Sequence, residues 1–325
     1  MLVHVTGDRI GDALIKWPVI VALKDALPNH RLVWVAGRRT SVFKGALATL
    51  AAGVIDEVVE CANLGVSWAE LLTPPRFGHY DIVVATEPKV RSALLVKRIS
   101  HRLFISPAAK FRFSDRQPLP GVRYPDSVYE QLRCLGELAA GRELLINPIV
   151  TVGDANERLA KELLPDGKSY LGLAPGSAGA SKRWPLQRYI DLAKVHCAKG
   201  LTPVFFLGPE EVSMHEEIAR ALPQALFPEQ VAGSKNSGGV LMSIALAQRI
   251  AVGVANDAGG GHLLAAGCRP LITLFGHTSE HKFKPPYGQR VAINAREYGG
   301  TDMSLIPVDR VAAEISSVLQ MTTLC

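Results

Sequence analysis

Short apolar runs alternate with stretches of helical spacing along almost the whole chain, and the alternation restarts once near the middle. Residues 2–6, 31–36, 55–60, 81–86 and 102–105 read as strands. Helices fall at 10–27, after an N-cap at Ser41 to about 52, and at 126–140 behind a Pro-rich loop at 117–125. Residues 151–168 are polar and irregular apart from a short helix at 157–164. Strands then recur at 170–174, 203–207, 251–255 and 271–275, with helices at 186–199, 211–222, 240–247, 261–267 and 308–319. Strands separated by helices must be joined by crossovers. The expected fold class is therefore α/β, as two Rossmann-like α/β/α halves with parallel sheets facing a cleft. Ligands of such sheets bind beyond the carboxyl ends of the strands, so the loops after strands are where chemistry is expected.

Composition narrows the class. With 48% hydrophobic and 20% charged residues the chain can build ordinary globular cores, which excludes wholesale disorder. No apolar run reaches the ~20 residues of a membrane span. The N-terminal run reads as a first strand, not a signal peptide. Cys61, Cys134, Cys197, Cys268 and Cys325 are scattered and odd in number, which argues against a disulfide framework or a cysteine zinc site. A cytoplasmic setting is expected.

Charge is concentrated. Residues 89–123 hold nine basic residues (Lys89, Arg91, Lys97, Arg98, Arg102, Lys110, Arg112, Arg116 and Arg123) against one acid, Asp115. This is either a solvated face or a docking surface for an anionic partner. Aromatics are sparse in the window and no recognition module accompanies it, so nucleic acid is not expected as a partner.

Three loops carry candidate chemistry. The first is Gly7-Asp8-Arg9-Ile10-Gly11-Asp12, which is neither G-x-G-x-x-G nor a Walker loop. Asp12 in the first helical turn either satisfies helix amides or acts as a general base. The second runs from Ala174 to Pro185. Small residues there allow close backbone approach, Ser177 and Ser181 supply hydroxyls, and Lys182 and Arg183 supply positive charge, a plausible diphosphate cradle. The third is Asn256-Asp257-Ala258-Gly259-Gly260-Gly261-His262, where a helix start can offer amides to phosphate. Asp257 is either a cap or a ligand, and His262 either a core histidine or a contact. Glu210 and Glu211 follow a further strand, where an acid can hold ribose hydroxyls.

Taken together, these motifs resemble the bacterial lipopolysaccharide heptosyltransferases, glycosyltransferase family nine. Gly11-Asp12 through Pro18, Pro175-Gly176-Ser177 through Lys182-Arg183-Trp184-Pro185, and Asn256-Asp257 through Phe275-Gly276-His277-Thr278 follow the family's order. The resemblance implies a GT-B fold: an acceptor-binding domain at 1–155, a nucleotide-sugar domain at 156–307, and a last helix at 308–325 packing back toward the first. It implies an inverting transferase with Asp12 as base and Lys182 stabilising the leaving diphosphate. Donor contacts map to Ser177, Lys182, Asp257, Ala258, Gly259, Gly260 and His262, with Glu210 or Glu211 at the nucleoside. Acceptor contacts are expected at Gly11, Lys89, Arg91, Arg112 and Arg116. The implied donor is a nucleotide-diphosphate sugar such as ADP-heptose, and the implied acceptor an anionic glycolipid or glycan. Contact with the inner membrane would be peripheral.

No Asp-x-Asp triplet is present, so no obligatory metal or other cofactor is expected. Two departures stand out. Ala258 replaces the family's Ser or Thr and removes a hydroxyl, leaving only its amide for phosphate. His277 replaces a Pro, with Lys282 and Lys284 following. The rival readings are a transferase using another nucleotide sugar, a non-catalytic nucleotide-sugar binder, and an epimerase on the same architecture.

Overall fold

A computed structural model describes residues 1–177, 179–234, 238–278 and 287–323, in two units, one formed by Met1–Asn147 and the other beginning at Pro148. Lys282 and Lys284 lie outside the described residues. Residues 148–153 belong with the second unit for physical reasons. Val150 and Val152 are buried, and the Val150 carbonyl accepts from Gln248 Nε2 at 2.9 Å.

In the first unit the order is β1 (Leu2–Val5), α1 (Ile10–Ala26), β2 (Val33–Ala36), α2 (Ala48–Ala51), β3 (Glu57–Val59), β4 (Tyr80–Ala85), α3 (Val90–Val96), β5 (His101–Ile105), α4 (Ala108–Phe111) and α5 (Val128–Ala140). The sheet is parallel with strand order β3-β2-β1-β4-β5. β1 sits in the middle with all four residues buried, its one polar side chain, His4, hydrogen-bonded through Nε2 to Leu64 O at 2.9 Å. Strand order reverses between β1 and β4, so the loops following these two strands flank the switch point.

The second unit runs α6 (Asp154–Leu163), β6 (Ser169–Ala174), α7 (Leu186–Cys197), β7 (Leu201–Phe205), α8 (Met214–Ala221), α9 (Pro228–Ser234), α10 (Val240–Ala247), β8 (Val252–Asn256), α11 (Gly259–Ala266), β9 (Leu271–Phe275), β10 (Arg290–Asn294) and α12 (Val308–Thr323). Its parallel sheet has order β10-β9-β8-β6-β7, with the switch point between β6 and β8. α12 packs against α7 of the same unit, and Ile315, Val311 and Val318 complete a core with Tyr189 and Leu192.

Local differences from the sequence reading have local causes. The helix expected after Ser41 is a 3-10 turn, Val42–Lys44, capped by Ser41 Oγ, followed only later by α2. α3 and β10 were not anticipated. α3 begins at Val90, after Lys89 and without a side-chain cap, inside the basic window, and among the described strands β10 pairs with β9 alone. α11 starts two residues early, at Gly259.

Candidate functional site

The β1–α1 loop begins with a forced glycine. Gly7 has φ +153°, and a Cβ there would lie 2.5 Å from Arg39 Cβ and 2.9 Å from Thr40 O. Next to it, the Asp8 carboxylate is buried and satisfied by three donors. These are Lys16 Nζ at 2.8 Å, Trp34 Nε1 at 2.7 Å and Ser41 Oγ at 3.2 Å. Asp8 therefore ties the loop to α1, to β2 and to the turn behind it. Asp8 was assigned no role from the sequence, and this one was missed. The signal was Lys16, one helical turn beyond Asp12, with a Trp on the adjacent strand.

Gly11 and Asp12 occupy the first turn of α1, both half-buried. The helix has no side-chain cap, and among the described residues the Asp12 carboxylate makes no hydrogen bond or ion pair. The capping role is thus not what the structure shows for Asp12. It is an unpartnered carboxylate at the ligand edge of the sheet.

The basic window divides. Lys97 Nζ donates to Phe113 O at 2.8 Å, and Arg98 to Glu70 O at 2.6 Å and Thr73 O at 2.7 Å. Arg116 Nη1 donates to Leu138 O at 2.8 Å and Ala139 O at 3.3 Å, so it caps the carboxyl end of α5. Arg102 and Arg123 face Asp81 and Asp126. Lys89 and Arg91, by contrast, stand at the start of α3, beside the switch point. Lys89 is 4.0 Å from Glu87, and Arg91 Nε is buried without a partner. Arg112 follows α4 with no side-chain partner among the described residues. Arg116, expected beside Arg112 at the acceptor, is instead committed to a helix terminus.

In the second unit, Asn256 at the end of β8 is fully buried and clamps two loops. Its Oδ1 accepts from Trp184 N and from Tyr189 OH, each at 3.1 Å, and its Nδ2 donates to Pro175 O at 2.7 Å. Trp184 packs edge-on against Tyr189 with ring centroids 5.0 Å apart, and its Nε1 donates to Ile306 O at 3.0 Å. Burial pushes the Tyr189 phenol far above its usual range. The Trp of the second motif is therefore a structural anchor.

On this clamp the charged groups gather. Lys182 Nζ lies 3.3 Å from Asp257 Oδ2, with Asp257 mostly buried and Lys182 about a third exposed. Ser177 is buried, and its Oγ accepts from Gly179 N at 3.4 Å. α11 opens with no side-chain cap. Ala258 N donates to Asn256 O at 2.8 Å, which corrects the expectation that this amide is available to phosphate. The first-turn amides of Gly259, Gly260 and Gly261 are the ones a helix start leaves without intrahelical acceptors. Gly261 must be glycine, because a Cβ would stand 2.6 Å from Asn256 O. His262 is half-buried in the same turn, its N–H donating to Ala258 O at 3.2 Å. His277 is exposed, its carbonyl accepting from Arg296 Nη2 at 3.2 Å.

Glu210 and Glu211 separate clearly. Glu210 is exposed, whereas Glu211 is buried with its carboxylate against Gly176 and Gly208. A Cβ on Gly176 would lie 2.5 Å from Glu211 Oε1, and one on Gly208 2.8 Å from Oε2. Behind Glu211 stands Glu229 of α9, which accepts from Ser243 Oγ. Burial pushes Glu229 up to about 7, and the nearby Glu211 charge adds to the shift. Glu229 carried no sequence signal, since its partner Ser243 lies in a separate helix.

Comparison with known proteins follows the same lines. A family model described as glycosyltransferase family 9 (heptosyltransferase) matches residues 76–303. Lipooligosaccharide heptosyltransferase 2 of Haemophilus influenzae is 35% identical over 126 residues, covering 38% of this chain and 35% of that protein. Lipopolysaccharide heptosyltransferase 2 of Salmonella typhimurium is 29% identical over 187 residues, 55% of this chain and 51% of that protein. The chain thus matches about a third to a half of the length of these curated relatives. In fold it is similar to the structure of E. coli heptosyltransferase WaaC with ADP, a GT-B enzyme. The TM-score is 0.67 at 18% identity, covering 98% of this chain and 99% of that one. The family match takes in β4 and β5 of the first sheet and every loop just described in the second unit, though it begins beyond Asp12. On that extent of agreement, the chain belongs to glycosyltransferase family 9, the heptosyltransferase family.

Proposed function

We propose that this protein transfers heptose from ADP-heptose to a hydroxyl of a lipopolysaccharide-core or related cell-surface glycan, with inversion at the anomeric carbon and no obligatory metal. The observation that carries the donor half is the Lys182–Asp257 pair beside the uncapped start of α11. A fixed cation and a row of helix amides suit a diphosphate that gains charge as it leaves. Glu211 is the acid for the ribose hydroxyls, since its carboxylate lines the glycines at the ends of β6 and β7. ADP in the WaaC structure supports adenine as the base.

For the acceptor half, Asp12 takes the proton of the attacking hydroxyl while the anomeric carbon becomes oxocarbenium-like. Lys89, Arg91 and Arg112 attract the anionic acceptor, and the reaction takes place on the cytoplasmic side of the inner membrane. The deciding experiment is calorimetric titration with ADP, GDP and UDP, with EDTA and with Mg²⁺. It is followed by transfer from ADP-heptose with the product anomer read by NMR. ADP binding in EDTA and an inverted product are expected. Preference for UDP or GDP would overturn heptose as the sugar.

The absent hydroxyl at Ala258 favours one alternative, a nucleotide-sugar binder without transferase activity. Tight ADP-heptose binding with no turnover on any acceptor would establish it.

A further inference from the structure

A cavity of about 560 Å³ opens on the first unit, within the size range of small-ligand sites. Its wall takes Pro88 from the loop after β4 and Pro107 from the loop after β5, with Phe111, Pro118, Val122 and Tyr124. The cavity therefore lies beyond the carboxyl ends of those strands. α5 packs along α1, and Arg142 Nη2, just past the end of α5, donates at 3.0 Å to Ala26 O at the end of α1. The two helices thus run the same way. Tyr124, just before α5, stands at the same edge of the unit as Asp12 in the first turn of α1.

Ala109, Lys110 and Phe111 complete the wall with left-handed backbone, at φ +49°, +56° and +65°. No other run of three non-glycine residues does this among the described residues. L side chains rarely adopt the conformation, and where a fold holds them in it the strain collects at ligand clamps. Here the hold comes from Phe111. It is 5% exposed and meets Tyr124 edge to face with ring centroids 5.3 Å apart. Its carbonyl accepts from Ser114 N at 3.0 Å and from Gln117 Nε2 at 3.3 Å. The strained turn leaves Lys110 exposed at the cavity with no ion pair among the described residues. Arg123, the other cation of the wall, faces Asp126 at 3.1 Å.

The wall describes its occupant. Proline and aromatic carbon on most sides suit a C–H face, and one free ammonium suits a single anion. Gln117 Nε2 is committed to a carbonyl, so Oε1 is left to accept from a hydroxyl. A pyranose with one acidic substituent offers a C–H face, hydroxyls and an anion together. A neutral sugar lacks the anion, and an acyl chain lacks the hydroxyls. We infer that this cavity is the subsite for an acidic sugar unit of the acceptor, with Lys110 and Gln117 deciding which acceptors are taken. This rests on the reading that the acceptor is a glycan, and it adds recognition of one sugar ring to the general attraction by Lys89, Arg91 and Arg112.

The experiment titrates the full chain, without donor, with glucuronate, glucose 6-phosphate, glucose, inorganic phosphate and decanoate, followed by the protein's NMR shifts. Expected is binding of one or both acidic sugars about tenfold or more tighter than glucose or phosphate, the usual worth of a hydrogen bond to a charged group. Which of the two binds tells whether the anion is a carboxylate or a phosphate. Lys110→Gly should lose about tenfold of that affinity while its urea midpoint stays level or rises, because glycine relieves the left-handed backbone. Val122→Trp, at an exposed position of the wall, should block the same probes. In transfer assays Lys110→Gly should raise the acceptor KM with ADP affinity unchanged. No binding of either acidic sugar, equal binding of glucose, tighter binding of decanoate, or full affinity in both variants would overturn the proposal. A wild-type chain that binds the acidic sugars but transfers nothing from ADP-heptose would instead sink the transferase reading, so the two ideas fail separately.

Discussion

Lys182 Nζ and Asp257 Oδ2 lie 3.3 Å apart, joining the loop after β6 to the loop after β8. The aspartate holds the ammonium in place before any ligand arrives. Lys182→Ala should weaken ADP binding by about one to two orders of magnitude, the usual worth of a hydrogen bond to a charged group. Asp257→Asn keeps the shape but loosens the lysine, and should cost less than Lys182→Ala. Calorimetry on both variants checks the order. Unchanged ADP affinity in Lys182→Ala would count against the cradle.

Asp12→Asn should lower turnover by about 10²–10⁴-fold with ADP affinity unaltered, as expected for loss of a general base outside the nucleotide site. Because its carboxylate has no partner among the described residues, the substitution should leave the urea midpoint within error of wild type. Near-normal activity would remove Asp12 from the mechanism.

Asp8 behaves differently, since its carboxylate is buried with Lys16, Trp34 and Ser41 around it. Asp8→Ala leaves the Lys16 ammonium and the Trp34 indole N–H without their acceptor, and should destabilise the first unit by about 3–5 kcal/mol. Asp8→Asn keeps an acceptor for Trp34 and should cost clearly less. Urea unfolding of the two variants separates them.

Two buried groups set opposing pH slopes. Burial raises Glu229 to about 7, so between the ordinary carboxylate range and pH 7 the folded chain binds the extra proton. Stability from this group is complete at low pH and is lost as pH rises through that window. His196 is pushed down to about 4 by burial, with Lys199 adding to the shift. It therefore favours the fold above its unfolded value and loses that contribution as pH falls from about 6.5 to 4. Glu229→Gln should leave a chain whose stability rises more steeply with pH between 5 and 7 than wild type. Urea midpoints at pH 5, 6, 7 and 8 measure the difference, and parallel curves would contradict it.

Most of the fold was legible because the apolar runs of β1, β2, β6, β8 and β9 are short, continuous and bracketed by helical spacing. What escaped depended on distant contacts. β10 is an edge strand whose identity comes from β9. α3 has Lys89 at its N-cap and Arg91 in its first turn, a pattern that reads as surface charge until Ser92, Ala93, Leu95 and Val96 are seen to be buried. In the site, the loops and the Lys182 and Asp257 positions could be read from residue types after strands. That Glu211 rather than Glu210 is the buried carboxylate could not, because it depends on which one meets Gly176. Arg116 looked like its neighbours in sequence, and only the carbonyls of Leu138 and Ala139 decide its use.

Asn256 joins Pro175, Trp184 and Tyr189 through one side-chain amide. The wiring of the two second-unit loops is therefore separate from the surface they offer to a ligand. Positions on that surface, such as Ala258, Gly259 and Ser181, are free to drift among descendants of this chain without unseating the loops. A change at Asn256 would release both at once. On the proposed reading, the donor site is accordingly easy to retune and the platform beneath it hard to lose, and Ala258 is the natural place to begin redesigning it.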